Sequence, residues 1–147
     1  MKLEKDIVIV LETNIDDMSP LFFEQVEEQL FNAGALDVWI EHIQMKKNRP
    51  AFKLSCIAPI GMQEKLVAII LEETTTSGVR FYEIGRYKLP RKEEKVKTSL
   101  GEVSIKIFTL PSGKTRKMPE YDDVKIISMK KKIPLKEVYQ KIISEIS

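Results

Sequence analysis

Apolar residues open the chain as a short continuous run. Asp6 to Thr13 (DIVIVLET) has the length of a strand and reads as one. The pattern then changes to a helical period. Ser19 offers a cap, Pro20 stands at the first helical position, and Phe22, Phe23, Val26 and Leu30 follow at helical spacing. Gly34 is placed to end that helix. Leu36 to Lys47 (LDVWIEHIQMKK) alternates in part, with Val38, Ile40 and His42 on one half-buried face, and reads as a second strand. Asn48-Arg49-Pro50 is read as a turn, with Phe52 to Ile57 returning as a third strand.

A second helix is expected over Met62 to Thr75, turning Leu66, Ile69 and Ile70 inward, and Ser77-Gly78 stops it. Val79 to Leu89 is a fourth strand. The order βαββαβ predicts an α+β fold with a ferredoxin-like core. Beyond it, Lys95 to Thr98 and Glu102 to Leu110 form a hairpin about Ser99-Leu100-Gly101. A short helix is expected near Asp122 to Lys130. Pro134 separates it from a last helix whose Leu135, Val138, Tyr139, Ile142, Ile143 and Ile146 share one face. The organisation expected is a core over 1–92 and a hairpin-plus-helix extension over 93–147, packed as one compact unit.

Composition narrows the class. A chain of 147 residues, 43% hydrophobic, is long enough to bury its own core. It has no run of about eighteen apolar residues, so no spanning helix is expected. The charged, interrupted N-terminus reads as a strand and not a signal peptide. Cys56 is the single cysteine, which excludes an internal disulfide and suits a reducing cytoplasm. The net charge is +2, but residues 1–40 hold nine acidic and two basic residues while the rest hold thirteen and twenty-two. That asymmetry fits a metal–phosphate site or ordinary solvated charge better than a broad nucleic-acid surface.

Four segments can carry chemistry, and each has a plain structural alternative. In Glu12-Thr13-Asn14-Ile15-Asp16-Asp17, adjacent carboxylates at a strand end repel each other and would welcome a hard cation. The alternative is that they favour the next helix N-terminus. Lys46, Lys47, Arg49 and Lys53 surround one hairpin, as an anion clamp or as a solvated tip. Thr74, Thr75 and Thr76, with Arg80 behind them, offer donors to phosphate or a helix stop with local caps. In Pro119-Glu120-Tyr121-Asp122-Asp123 the acids either cap a helix or help to hold a ligand, with Tyr121 able to stack on a base. One His and one Cys cannot close a zinc site, and His42 reads as a half-buried strand residue. There is no phosphate-binding glycine loop and no nucleophile elbow.

Taken in order, ETNIDDMSP (Glu12 to Pro20), GALDVW (Gly34 to Trp39), QMKKNRP (Gln44 to Pro50), ETTTSGVR (Glu73 to Arg80) and PEYDD (Pro119 to Asp123) make a specific set. The chain closely resembles the C-terminal, CTP-binding domain of the LarC nickel insertion family, which serves nickel-pincer nucleotide cofactor synthesis. The likeness runs from about Val8 to Tyr139. It implies an enzyme, a nickel chelatase or cyclometallase of the lyase class. Such an enzyme activates a pyridinium-3,5-bisthiocarboxylic acid mononucleotide by cytidinylylation from CTP. It then inserts nickel, forming carbon–nickel and sulfur–nickel bonds, and releases CMP.

The resemblance further implies Mn²⁺ or Mg²⁺ beside CTP, a homo-oligomer (trimer or hexamer) and a cytoplasmic location. No nucleic-acid or membrane partner is expected. Asp16 and Asp17 are the expected metal ligands, and Asp16, Asp17 and Lys46 the expected catalytic groups. Lys46, Lys47, Arg49, Lys53, Thr74, Thr75, Thr76, Arg80, Glu120 and Asp122 are expected to bind CTP. Two departures stand out. Asn48 replaces the glycine of the usual KKGRP hairpin, a residue that tolerates positive φ. The N-terminal domain of the full-length family, rich in metal ligands, is absent from this chain. The competing classes are a non-catalytic nucleotide-binding regulatory or oligomerisation module and an RNA-binding sheet. The second needs aromatics on central strands, and Trp39, Phe52, Phe81 and Tyr82 are scattered.

Overall fold

The computed structural model describes residues 3–146. Its described residues divide into two compact units, one of 5–86 and one of 3–4 with 87–146.

The first unit is built on a four-stranded sheet. Its strands are β1 (Glu4–Ile15), β2 (Asp37–Met45), β3 (Arg49–Pro59) and β4 (Arg80–Lys88), in spatial order β2-β3-β1-β4. β3 runs antiparallel to both β1 and β2. Arg80 reaches Asn14 while Arg86 reaches Asp6, so β4 runs opposite to β1. Helices α1 (Phe23–Ala33) and α2 (Gln63–Glu73) complete the βαββαβ order. This is the ferredoxin-like arrangement that the alternation predicts.

Period-two patterning decides which side chains of the sheet meet the helices. Ile9, Leu11 and Ile15 of β1 and Leu54, Cys56 and Ala58 of β3 are all buried. They meet Phe23, Val26, Leu30 and Ala33 of α1 and Leu66 and Ile70 of α2. Each fully buried Leu or Ile stabilises the unit by about 1.5–3 kcal/mol relative to exposure. Ile69 is half-buried against the same core. Burial raises the Cys56 thiol to a pKa of about 11. Ser19 Oγ accepts from the Leu21 N–H at 3.3 Å and starts a 3-10 turn at Pro20 that leads into α1. Gly34 ends α1 at φ 110°, and a Cβ there would lie 3.1 Å from Met62 Cε. A side chain would therefore strain both the backbone and that contact.

The β2–β3 turn and His42 differ from the sequence reading. The hairpin turn falls at Lys46–Asn48, one 3-10 turn, and Arg49 and Pro50 already belong to β3. Lys47 (φ 60°) and Asn48 (φ 56°) both take left-handed backbone there, so the chain reverses before the proline. Asn48 thus uses the tolerance that a glycine would supply. His42 is exposed rather than half-buried, with its ring 5.1 Å from Phe52.

The second unit holds a sheet of β5 (Arg91–Thr98), β6 (Gly101–Thr109) and β7 (Thr115–Pro119), in that order and antiparallel. Helices α3 (Tyr121–Lys131) and α4 (Leu135–Ile146) follow. Its core is Val103, Ile105, Ile107, Val124, Ile127, Val138, Ile142 and Ile146. β5 begins four residues before the expected Lys95, and β7 is not apparent in the sequence at all. Both are mostly exposed and polar, so they show little alternation. Glu145 accepts the Ser99 N–H and hydroxyl at 2.8 and 2.5 Å, which joins the β5–β6 turn to α4. These two donors hold the Glu145 carboxyl below its ordinary pKa. Among the described residues, no helix is long and apolar enough to cross a membrane.

Candidate functional site

The strand end that follows β1 is where distant motifs meet. β1 lies between β3 and β4, so side chains leaving its C-terminus are flanked from both sides. Ile15 is buried and anchors the end, and Asp16 and Asp17 follow it out of the sheet. Asp16 Oδ2 accepts from Arg49 Nη1 at 2.8 Å. The Arg49 hydrogen bond holds the Asp16 carboxyl below its ordinary value, with a smaller contribution from the Lys46 charge. Asp16 in turn raises the Arg49 pKa, helped by the charge of Asp17. Asp17 Oδ1 accepts the Thr75 hydroxyl at 2.5 Å. Asp16, Asp17, Lys46, Arg49 and Thr75 therefore gather from three separate segments.

The threonine run is fixed from beneath. Thr74 donates its hydroxyl to the Ile70 carbonyl at 2.7 Å, a last-turn bond that closes α2. Thr76 Oγ1 lies 2.6 Å from Thr13 Oγ1, and both hydroxyls lie within bonding distance of the Gly78 carbonyl (3.1 and 2.9 Å). Thr13 is buried in β1, so this contact ties the loop to the central strand. Thr75 is left exposed above it. A cavity of about 370 Å³ opens alongside, lined by Asp17, Met18, Ser19, Phe22, Glu72, Glu73, Thr74 and Thr75.

A second cluster occupies the sheet face away from the helices. Register places Glu12 opposite Ser55, Asn14 opposite Lys53, and Glu41 opposite Lys53. Glu12 accepts from Arg80 Nε at 3.0 Å and from the Tyr82 hydroxyl at 3.3 Å, and lies 3.7 Å from Lys53 Nζ. Arg80 also donates to Asn14 Oδ1 at 2.9 Å. Lys53 pairs with Glu41 at 2.6 Å, a bond that lowers the Glu41 pKa and raises that of Lys53. Trp39 Nε1 donates to the same Glu41 at 3.2 Å. Ser55 Oγ is buried with no hydrogen-bond partner among the described residues.

The expected site residues thus fall into three places. Asp16, Asp17, Lys46, Arg49 and the threonine loop share one strand end, with Lys47 exposed on the turn beside them. Lys53 and Arg80 stand on the sheet face away from the helices, each held by Glu12. Glu120 and Asp122 belong to the second unit. Glu120 pairs there with Lys106 at 2.6 Å, and Asp122 is in the first turn of α3. Asp123 accepts the Ser104 N–H at 2.7 Å, which holds its carboxyl below the ordinary value.

Sequence reasoning missed Tyr82, Glu41, Glu72 and Glu73 as neighbours of this chemistry. A two-residue step along β4 from Arg80 finds Tyr82, but the three glutamates carry no such signal. Among the described residues, no three His, Cys, Asp or Glu side chains converge to hold a metal by themselves. Two adjacent carboxylates suit a hard cation that draws its other ligands from phosphate and water. Their oxygens are hard donors, and one oxygen of each is not engaged in the bonds described above.

Comparisons with known proteins show the family and the fold that the chain shares. The family model described as "Nickel insertion protein" matches residues 1–139. The pyridinium-3,5-bisthiocarboxylic acid mononucleotide nickel insertion protein of Thermotoga petrophila is 38% identical over 146 residues, covering 99% of this chain and 36% of that protein. The chain therefore spans about a third of the length of the curated relatives it matches. A solved structure of LarC2 superimposes with a TM-score of 0.88 at 38% identity, covering 96% of this chain and 97% of that one. It is described as the C-terminal domain of a cyclometallase involved in the synthesis of the NPN cofactor of lactate racemase, in the apo form. A Methanopyrus kandleri protein, MK0293, shares the fold at 24% identity and a TM-score of 0.67. By its motifs, its fold and its relatives, the chain belongs to the nickel insertion protein family.

Proposed function

We propose that this chain is the part of a nickel-inserting enzyme that binds CTP with a divalent cation. The substrate is pyridinium-3,5-bisthiocarboxylic acid mononucleotide, as the name of the Thermotoga petrophila relative suggests. One observation carries the reading: carboxylates from β1 meet a cation from the β2–β3 hairpin and a hydroxyl from the loop after α2. Nucleotidyl transfer needs positioned phosphates and neutralised charge more than a protein nucleophile.

Asp16 and Asp17 would hold Mn²⁺ or Mg²⁺, which supplies phosphate charge neutralisation when bound. Lys46, Lys47 and Arg49 approach from the hairpin and Thr75 from the opposite side. Thr74 and Thr76 shape the loop, while Lys53 and Arg80 extend the cationic surface along the sheet. CMP passes from CTP to the substrate with loss of pyrophosphate, and hydrolysis of that phosphate bond frees CMP when nickel enters. Nickel is substrate here, and the N-terminal domain of longer relatives is the expected partner.

Calorimetry with CTP and MnCl₂ tests the assignment. Asp16→Ala with Asp17→Ala should abolish cation-dependent CTP binding in a protein that still unfolds cooperatively. Unchanged affinity removes both residues from the site. The ferredoxin-like sheet admits one rival, a nucleotide-binding or oligomerisation module without catalysis. Labelled CTP, Mn²⁺ and the pyridinium precursor separate the two. A CMP adduct marks the enzyme, and binding without an adduct marks the module.

A further inference from the structure

A cavity of about 440 Å³ opens in the second unit, lined by Tyr121 and Val124 of α3 and by Leu135, Lys136, Tyr139 and Gln140 of α4. All six come from the first turns of the two helices. Val124 is fully buried, and Leu135 and Tyr139 pack against the same core, so the apolar part of the cavity is rooted in the fold. Tyr121 opens α3 and is 57% exposed. Among the described residues, neither tyrosine hydroxyl, nor Lys136 Nζ, nor the Gln140 amide makes a hydrogen bond or ion pair. An apolar, concave site with a few free polar groups is the usual form of a small-molecule pocket, and its volume falls in the ordinary range.

We propose that this cavity receives the pyridinium ring of the mononucleotide substrate, with Tyr121 and Tyr139 against the ring and Lys136 against one of its acid groups. The choice of ligand rests on the proposed function, whose substrate it is. That molecule combines a flat ring bearing a fixed positive charge with anionic groups around it. The face of a tyrosine ring attracts a cation through its quadrupole. No carboxylate is among the described lining residues, so the ring charge is met by aromatic faces and the ligand's own acid groups are not repelled. Lys136 supplies the opposite charge to those groups. A neutral base such as cytosine gains only stacking here, so the chemistry of the cavity favours the pyridinium ring over the base of CTP.

Titration calorimetry of the full chain with pyridinium-3,5-bisthiocarboxylic acid mononucleotide reads the site. Tyr121→Leu keeps an apolar side chain at an exposed position and should weaken binding about three- to tenfold. Tyr121→Phe keeps the ring and should stay within about twofold of wild type. Lys136→Gln should weaken binding and leave the remainder less dependent on salt. Nicotinamide mononucleotide, whose ring is a cation, should displace the substrate more effectively than its 1,4-dihydro form, whose ring is neutral. A wild type that does not bind the substrate, a leucine variant that binds as well as wild type or no worse than the phenylalanine variant, or equal displacement by the two ring forms overturns the proposal. CTP titrated with MnCl₂ into the wild type tests the proposed function separately, because no residue lining this cavity is assigned to CTP.

Discussion

Thr13→Val keeps the outline of a buried β-branched side chain and removes only its hydroxyl. The size of the effect follows from counting hydrogens. Thr13 and Thr76 have one hydroxyl hydrogen each, yet three contacts join them to each other and to the Gly78 carbonyl. Two of the three can be made at once. With valine at 13, Thr76 still donates to Gly78, so the carbonyl keeps a partner and one net bond is lost. A net bond of this kind is worth about 1 kcal/mol. The melting temperature should therefore fall by about 2–4 °C for a chain of this size. Thr13→Ser, which keeps the hydroxyl, should lose less of the anchoring, and Thr13→Ala should cost more because it also removes a buried methyl group. The same bond anchors the loop that presents Thr75 to Asp17. If the whole loss reaches the ligand, affinity for CTP with Mn²⁺ weakens about fivefold. Differential scanning calorimetry and titration calorimetry measure the two effects. A valine variant as stable and as tightly binding as wild type refutes the reasoning. So does a serine variant that behaves like alanine.

Two further outcomes follow from buried or bonded groups. Cys56 is fully buried and its thiol is pushed up to about 11, so it should resist a disulfide-exchange reagent at pH 8 until the protein unfolds. Rapid labelling of the native chain would contradict its place in the core. Asp123 has a folded pKa below its ordinary 3.8, chiefly because it accepts the Ser104 N–H. Its stabilisation is present above that ordinary value and is lost as pH falls through the depressed one. Asp123→Asn should therefore be less stable than wild type at neutral pH, with the gap closing as pH drops below 3.8 in acid titrations followed by circular dichroism. A gap that stays constant with pH would place the cause elsewhere.

The first unit was legible because β1 is a continuous apolar run of strand length and its helices carry one apolar stripe. Ser19, Pro20 and Gly34 mark the ends of a helical segment by local chemistry alone, and the structure places a 3-10 turn and α1 between them. β7 was hidden because Thr115-Arg116-Lys117-Met118 is exposed and only Pro119 is buried. Its identity as a strand comes from pairing with β6, a long-range property that no local pattern carries. The hairpin turn was placed late because Pro50 looks like a turn residue, whereas the reversal depends on Lys47 adopting left-handed backbone. At the site, spacing alone left Asp16 and Asp17 open to a capping role. Their contacts instead run to Arg49 and Thr75, thirty-three and fifty-eight positions away. Tyr82 and Glu41 enter the picture through strand register, which fixes partners only once the sheet order is known.

Glu12 has a consequence for how the sheet face treats incoming anions. Arg80, Tyr82 and Lys53 already converge on its carboxylate. An anionic ligand that recruits those cations does not meet bare charges; it displaces a resident one. The electrostatic gain is then the difference between two anions, so a single phosphate offers little advantage over the carboxylate it replaces. A triphosphate carries more charge over a longer reach and outcompetes it. Under the proposed reading, the resident carboxylate makes the face discriminate by phosphate number, retaining CTP and letting CMP go.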